Sequence, residues 1–401
     1  MRVSRTLWSL TRLRAAGGVL SYRVNATRKL RPTSTFPFKN PLTFLLRAML
    51  CRPPASLIAL ALSVPLGLSS ALAAPPVGRV DHSVKMDAKT EEIIEGALAW
   101  MASHQQPNGA WIGLSGEEQK FPVAITAYTL IAFLSAGNLP GEGPYGENVA
   151  LGTRYLLDQV DDEGLIIGQR HSGQYMYFHS AATIALTELY GQAPTGALRA
   201  KIDKMVKVII GAQGEQGGWR YRPISGDADI SVTVLSVVAL RAAKNSGLAV
   251  PQKTIDDAVE YVRSCHHKDS GGFAYQPGQG AGFARTAAAV YSLQVCGQYE
   301  DPKLAAASKY LFDSFKVGEQ WFTYGNFYAG PAHYMMGGDI WKEWYGKIRG
   351  ALLEKVKTDE GGQFHWETDL DSGGGVGPVY STAVYTMILA LPYHYLPLYQ
   401  R

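Results

Sequence analysis

At 401 residues, with 46% hydrophobic and 18% charged side chains, the chain is long enough for one large domain or two ordinary ones, with a substantial buried core. Its formal net charge of +4 is set by the first fifty residues, where Arg and Lys are frequent and acids absent, and the rest carries no basic excess. A nucleic-acid footprint, which needs a basic stripe with interleaved aromatics or a known motif, is not present, so nucleic acid is excluded as a partner.

The N-terminal stretch has two layers. Arg52, an apolar run over 55–68 and Ala71-Leu72-Ala73 read as a secretory signal spanning 49–73, with the mature chain beginning near Ala74. A spanning helix needs about 20 apolar residues, and this run is too short, so a cleaved signal is expected in place of an anchor. Residues 1–48 are rich in Arg and Ser and lack a periodic apolar face. They are either an upstream extension, with translation starting at Met49, or a transit-like segment. A linker over 74–87 would follow, and the product is expected to be exported, periplasmic or in the cell envelope. Export would permit a disulfide between the remaining Cys265 and Cys296. They are expected near opposite ends of an antiparallel helix pair, about 20 Å apart, too far for a bridge.

From residue 88 onward the sequence repeats. Gly109-Ala110-Trp111, Gly164-Leu165, Gly218-Trp219 and Gly272-Phe273 align so that positions 111, 165, 219 and 273 are each 54 apart. Six residues earlier stand Gln105, Gln159, Gln213 and His267. Later copies are legible as Gly318 with Trp321, and as Gly361-Gly362 with Phe364 and Trp366, giving six units. Each unit opens with an amphipathic helix, as in Ile93, Ile94, Ala97, Leu98 and Met101, which marks an outer position. Each continues, after the Gly-aromatic turn, with a segment apolar on most sides, as at 123–134, 181–189, 230–240, 284–295 and 382–391. These are expected inner helices. Gly supplies the left-handed residue that ends a helix, the aromatic folds over the pair, and the Gln amide is positioned to bond freed carbonyls.

The segments Gln213-Gly214-Glu215-Gln216-Gly217-Gly218-Trp219 and Gln105-Gln106-Pro107-Asn108-Gly109-Ala110-Trp111 resemble the Gln-Trp repeats of squalene and oxidosqualene cyclases, in the superfamily that includes prenyltransferase β subunits. The resemblance covers about 88–400. It implies an all-α fold, a single α/α toroid of six inner and six outer helices, with a ligand pocket along the axis. The segments Tyr328-Ala329-Gly330-Pro331-Ala332-His333-Tyr334-Met335-Met336-Gly337-Gly338 and Tyr393-His394-Tyr395-Leu396-Pro397-Leu398-Tyr399 resemble exported bacterial members of that superfamily.

Asp227-Ala228-Asp229-Ile230-Ser231 is similar to the acidic motif by which triterpene cyclases protonate an alkene or epoxide, and Asp229 falls on the proton donor's position. Those families continue with Asp or Cys where this chain has Ile230. An Asp at a helix start is also a preferred N-cap, and capping keeps it ionised. A donor would need a carboxyl raised by burial or by a neighbour such as Asp227, so both readings stand.

Zinc prenyltransferases use Asp-x-Cys at an inner helix start, where this chain has Phe283-Ala284-Arg285-Thr286. Cys265-His266-His267, read as consecutive helix residues, would diverge. Gln213-Gly214-Glu215-Gln216 lacks the Cys of a complement-type thioester. No metal site, thioester or other cofactor is therefore expected. Tyr175, Tyr177, Phe178, His179, Tyr324, Phe327, Tyr328, His333, Tyr334 and Tyr380 gather at inner-helix ends and loops, where rings can line an apolar pocket or stack on a sugar. Tyr177, His179, Arg285, Tyr328, His333 and Tyr380 are the expected substrate contacts, with Asp229 and Asp227 as catalytic candidates.

The resemblance implies an isoprenoid-type hydrophobic ligand, bound and acid-isomerised, with peripheral membrane association. The competing class is a non-catalytic scaffold that binds an envelope protein. A carbohydrate-active barrel is third: Glu367-Thr368-Asp369-Leu370-Asp371 offers a carboxylate pair, although a solvated loop is the plainer reading.

Overall fold

The computed structural model describes residues 83–168, 172–372 and 375–399. The 1–48 extension, the 49–73 signal and most of the 74–87 linker lie outside them. Twelve α-helices alternate between two layers. In chain order they are α1 (Ala88–Ser103), α2 (Pro122–Ser135), α3 (Gly146–Asp158), α4 (Tyr175–Gln192), α5 (Gly196–Gly211) and α6 (Ile230–Asn245). There follow α7 (Gln252–Ser264), α8 (Phe283–Val295), α9 (Lys303–Asp313), α10 (Phe322–Met336), α11 (Gly338–Lys355) and α12 (Pro378–Leu389). The even-numbered helices pack each on the next, and α12 returns to α2, which closes the inner ring. Most outer helices lie in the groove between the preceding inner helix and their own, as α1 does between α12 and α2.

Periodicity explains which layer each helix joins. α1 buries Ile93, Ile94, Ala97, Leu98 and Met101 along one face, whereas twelve of the fourteen residues of α2 are buried. An inner helix is covered on one side by outer helices and on the other by the opposing wall of the ring, so it must be apolar almost all round. The expected all-α toroid of six helix pairs is the observed architecture.

The turns work as their composition indicates, with further detail that spacing alone does not convey. Gly109, Gly164, Gly217 and Gly271 all have positive φ, between +75° and +91°. At Gly217 a Cβ would also lie 2.2 Å from the Asp257 carbonyl of the next outer helix, so only glycine satisfies both the turn and the packing. The Gln213 amide donates to Gly217 O and Thr254 O, and Gln105 donates to Gly109 O and Asn148 O. Each Gln thus ties its own turn to the next unit. Two residues after the left-handed glycine, the aromatic indole N–H reaches back to the outer helix. Trp111 Nε1 donates to Met101 O and Trp219 Nε1 to Ile209 O, both at 2.7 Å. The backbone N–H groups of Trp111, Trp219 and Phe273 donate to Thr126, Thr233 and Thr286 of the inner helices at 2.9–3.0 Å.

Three positions depart from expectation. In the second unit the residue two after the glycine is Ile166, fully buried, and its N–H donates to the Tyr175 hydroxyl. The strict 54-residue step therefore holds as an average, with Leu165 one place out of register. In the fifth unit Trp321 is 58% exposed, with φ of 64°, and is not the equivalent of the buried tryptophans. In the sixth, Trp366 takes that place, donating to Leu352 O and Thr382, beside a two-residue hairpin of β1 (Lys357–Thr358) and β2 (Phe364–His365). Cys265, His266 and His267 follow the end of α7 and form its turn, with His266 bridged to Phe273; they are not helical. Cys265 and Cys296 are both free and end α7 and α8 respectively.

Candidate functional site: an aromatic lumen with a buried carboxylate in its wall

All six outer-to-inner turns lie at one end of an alternating barrel, so the N-termini of the inner helices surround a single mouth. Just inside it, α2, α10 and α12 bring Tyr128, Phe327 and Tyr380 together, with Tyr128 edge-on to Phe327 at 5.2 Å and to Tyr380 at 5.0 Å. Tyr324 and Tyr328, one turn apart on α10, meet edge-on at 5.0 Å. Tyr128, Phe327 and Tyr380 retain 6–7% exposure, whereas the interlayer Trp111, Trp219 and Trp366 have none. The first three rings therefore border accessible space, whereas Tyr328, like the interlayer rings, is fully buried. Tyr177 and Tyr324 are half-buried at the mouth end of the same lumen.

Asp229 is wholly buried in the wall. It caps α6, and its Oδ1 accepts from Ser231 N at 2.9 Å, Val232 N at 3.0 Å and the Ser231 hydroxyl at 2.5 Å. Its Oδ2 lies 3.4 Å from Arg220 Nε. Arg220 also reaches Asp227 at 3.3 Å and lies over the rings of Tyr221 and Tyr275, whose hydroxyls bond each other. Burial holds the Asp229 carboxyl above the usual carboxylate range, an effect that Ser231, Val232 and Arg220 oppose without overcoming. Three donors converge on Oδ1, whereas Oδ2 makes no hydrogen bond and faces the Arg220 guanidinium. We therefore take the ionised form as the one the site is built around.

From Asp229 a chain of hydroxyls leads to the lumen: Tyr177 donates to Ser231 Oγ at 2.7 Å, and Ser231 donates to Asp229. Tyr324 donates to the Ser231 carbonyl at 3.0 Å. Of the residues singled out in the sequence, Asp229, Tyr177, Tyr328 and Tyr380 are thus brought to the lumen or its wall. Asp227 is exposed at the rim, paired with Arg220. Arg285 sits at the start of α8 and donates to Gly280 O. His179 and His333 lie elsewhere, between the layers. His179 Nε2 donates to Met205 O of α5, and His333 stacks on Trp344 of α11 at 4.0 Å. Burial lowers both imidazoles to about 4. The acidic loop is not simply solvated: Asp371 accepts from the Thr323 N–H and hydroxyl at the start of α10. Among the described residues no group of three or more His, Cys, Asp or Glu is placed to hold a metal.

Sequence reading missed Arg220, Ser231, Tyr221, Tyr275 and Glu118. Tyr177 and Ser231 are 54 residues apart, as are Tyr221 and Tyr275, so carrying the repeat step from the turns to their neighbours would have paired them. Glu118 is buried at the mouth where the first and last units meet, beside an open cleft of about 690 Å³ lined by Leu114, Ser115, Glu367 and Pro378.

By fold, the chain is similar to the GH76A alpha-1,6-mannanase of Salegentibacter sp. HEL1_6 (TM-score 0.57, 9% identity, 76% of this chain and 99% of that one). It is equally similar to the cellobiose 2-epimerase of Bacillus thermoamylovorans B4167 (TM-score 0.57, 13% identity, 76% and 99%). The type II terpene cyclase MstE of Scytonema aligns with a TM-score of 0.50 at 13% identity (77% and 99%). At such identities the likeness is one of fold alone. Among curated proteins none matches by sequence. The family model for the prenyltransferase alpha-alpha toroid domain matches residues 80–317, more than half of the chain, and the protein belongs to that family.

Proposed function

We propose that the barrel binds an elongated apolar ligand of the isoprenoid class in its lumen and holds it without protonating it. The observation that carries this reading is that Tyr128, Phe327 and Tyr380, converging inside the ring, keep 6–7% exposure, whereas the interlayer Trp111, Trp219 and Trp366 keep none. Aromatic walls around reachable space favour an apolar guest, for which burial contributes roughly 25 cal/mol per Å². Asp229 supports binding over acid catalysis, because three donors converge on its Oδ1 and the Arg220 guanidinium faces its Oδ2. A carbohydrate hydrolase of the usual kind needs a free carboxylate pair, and neither Asp371, engaged by Thr323, nor Asp229, paired with Arg220, is free to supply one member.

Mass spectrometry of lipids extracted from natively purified protein tests the reading, followed by incubation with squalene and polyprenyl lipids. A co-purifying isoprenoid, returned unchanged on incubation, is the expected result. Formation of a cyclised or isomerised product that Asp229→Asn abolishes would restore the acid reading.

A surface contact is favoured by a separate observation. Ile112, Leu114, Ile167, Ile224, Val317 and Trp321 are exposed, and all lie on the outer-to-inner turns around the mouth. Single apolar tips from separate loops suit a planar lipid surface better than a protein partner, which needs a contiguous desolvated centre. No helix among the described residues is long and apolar enough to cross a membrane, so the contact would be peripheral. Co-sedimentation with liposomes, expected to fall in Ile224→Ser with Trp321→Ser, checks it. Export through a leader at 49–73 belongs to the same proposal, and N-terminal sequencing of the exported protein, expected to begin near Ala74, tests that part.

A further inference from the structure

The hydrogen-bond directions around Ser231 limit what the polar end of a lumen ligand can be. The ionised Asp229 carboxylate only accepts, so the Ser231 hydroxyl must donate to it, at 2.5 Å. Ser231 Oγ is then left to accept, and the Tyr177 hydroxyl donates to it at 2.7 Å. The Ser231 carbonyl likewise only accepts, so the Tyr324 hydroxyl donates there, at 3.0 Å. Each phenol has a single proton, and in both cases it is committed to Ser231. What Tyr177 and Tyr324 have left is oxygen lone pairs. Both side chains are half-buried at the mouth end of the lumen. The Tyr177 oxygen is also enriched, because a hydroxyl whose proton is drawn along a chain ending in a carboxylate becomes a better acceptor.

Resting on the proposed isoprenoid reading, we infer that the ligand bears a hydrogen-bond donor at one end, an isoprenoid alcohol in place of a hydrocarbon, with its hydroxyl proton donated to the Tyr177 oxygen beside Tyr324. The rest of the chain would run down the lumen past Tyr128, Phe327 and Tyr380. A bare hydrocarbon would leave the Tyr177 acceptor desolvated with no donor, a penalty that the alcohol's single proton avoids; the Tyr324 oxygen can take the proton of Tyr328, whose buried hydroxyl has no other partner. Arg220 neutralises Asp229 from the opposite side, so the site asks for a neutral donor and not for a cation.

Binding of geranylgeraniol, its methyl ether and the corresponding hydrocarbon to the full chain, followed by isothermal titration, decides the matter without altering the protein. The alcohol is expected to bind at least about tenfold tighter than either, since the Tyr177 acceptor goes unpaired with the other two. In Tyr177→Phe, with melting checked to confirm folding, that preference should shrink while hydrocarbon affinity holds or rises. Equal affinity for all three ligands would overturn the inference and leave the isoprenoid reading standing. Failure of all three to bind would remove that reading and the inference together.

Discussion

Glu118 accepts the backbone N–H of Tyr380 at 2.7 Å, a bond that spans 262 residues of sequence and closes the toroid at its mouth. Its other oxygen accepts from the N–H groups of Leu114 at 2.7 Å and Ser115 at 3.2 Å, so one buried carboxylate satisfies three donors from the first and last units. A closed ring of repeats has one seam where chain continuity cannot help, and this is it. Glu118→Ala should leave three N–H groups unpaired and lower stability by about 3 kcal/mol, with Glu118→Gln losing less because an acceptor remains. Urea unfolding followed by far-UV circular dichroism measures both; equal stability of Glu118→Ala and wild type would show that the seam is held elsewhere.

The repeat tryptophans should differ sharply from the one that only imitates them in sequence. Trp219→Phe removes the indole bond to Ile209 O and leaves that carbonyl and some volume unfilled, for a loss of about 2 kcal/mol. Thr233→Val removes the acceptor of the Trp219 N–H and should cost about 1–2 kcal/mol. Trp321→Ala, at a largely exposed position, should change stability by less than about 0.5 kcal/mol. Thermal melts of the three variants would sink the assignment of roles if Trp321→Ala proved the most damaging.

These contrasts also mark what the sequence made legible. Fold class followed from repetition, because a turn that must hold a left-handed glycine and a buried ring tolerates few residue types. Register was less secure: Ile166 shows that an aliphatic residue can fill the position two after the glycine, while in the last two units the pattern lapses at the exposed Trp321 and moves to Trp366, four residues after Gly362. The site was harder. Asp229 stood out as a carboxylate at a helix start, but whether its partners are donors or acceptors depends on Arg220 and Ser231 approaching in space. His179 and His333 were grouped with the lumen because an inner helix that is buried on all sides gives no sequence sign of which face meets the axis and which the outer layer.

Those two histidines carry a prediction for acid. Each is neutral in the fold: His179 Nε2 donates to Met205 O and His333 Nδ1 to Ala329 O, and burial holds both at about 4. Unfolded imidazoles titrate near 6.5, so below that pH the unfolded chain binds protons that the folded one refuses. Their contribution is complete above pH 6.5 and is lost as pH falls toward 4, by up to about 3 kcal/mol for each group. His333→Phe, which keeps a ring against Trp344, should flatten part of that acid limb in a stability-versus-pH series. An unchanged slope in the variant would mean that His333 takes up its proton at the same pH in the fold as in the unfolded chain.

Glu188 should act in the opposite sense. It lies eleven residues, about three turns, beyond Tyr177 on α4, at the end of the barrel away from the mouth. It is buried, and it accepts the Leu398 N–H at 3.2 Å where the 3₁₀ turn Pro397–Tyr399 packs against α4, α6 and α10. Burial raises its carboxyl to about 7, with the Leu398 bond pulling the other way. For an acid raised in the fold, the stabilisation is complete below the unfolded value near 4.5 and is lost as pH rises through 7, because the ionised form is disfavoured inside. The loss should be on the order of 3 kcal/mol between pH 4 and 8 when wild type is compared with Glu188→Gln, which cannot ionise. The C-terminal turn should loosen first, since it rests on this carboxyl. Hydrogen exchange at Leu398 and Tyr399 should therefore quicken above pH 7 in wild type, beyond the ordinary base-catalysed rise, and not in Glu188→Gln. Matching exchange in the two proteins across that range would place the latch of the C-terminal turn in its apolar contacts instead of in Glu188.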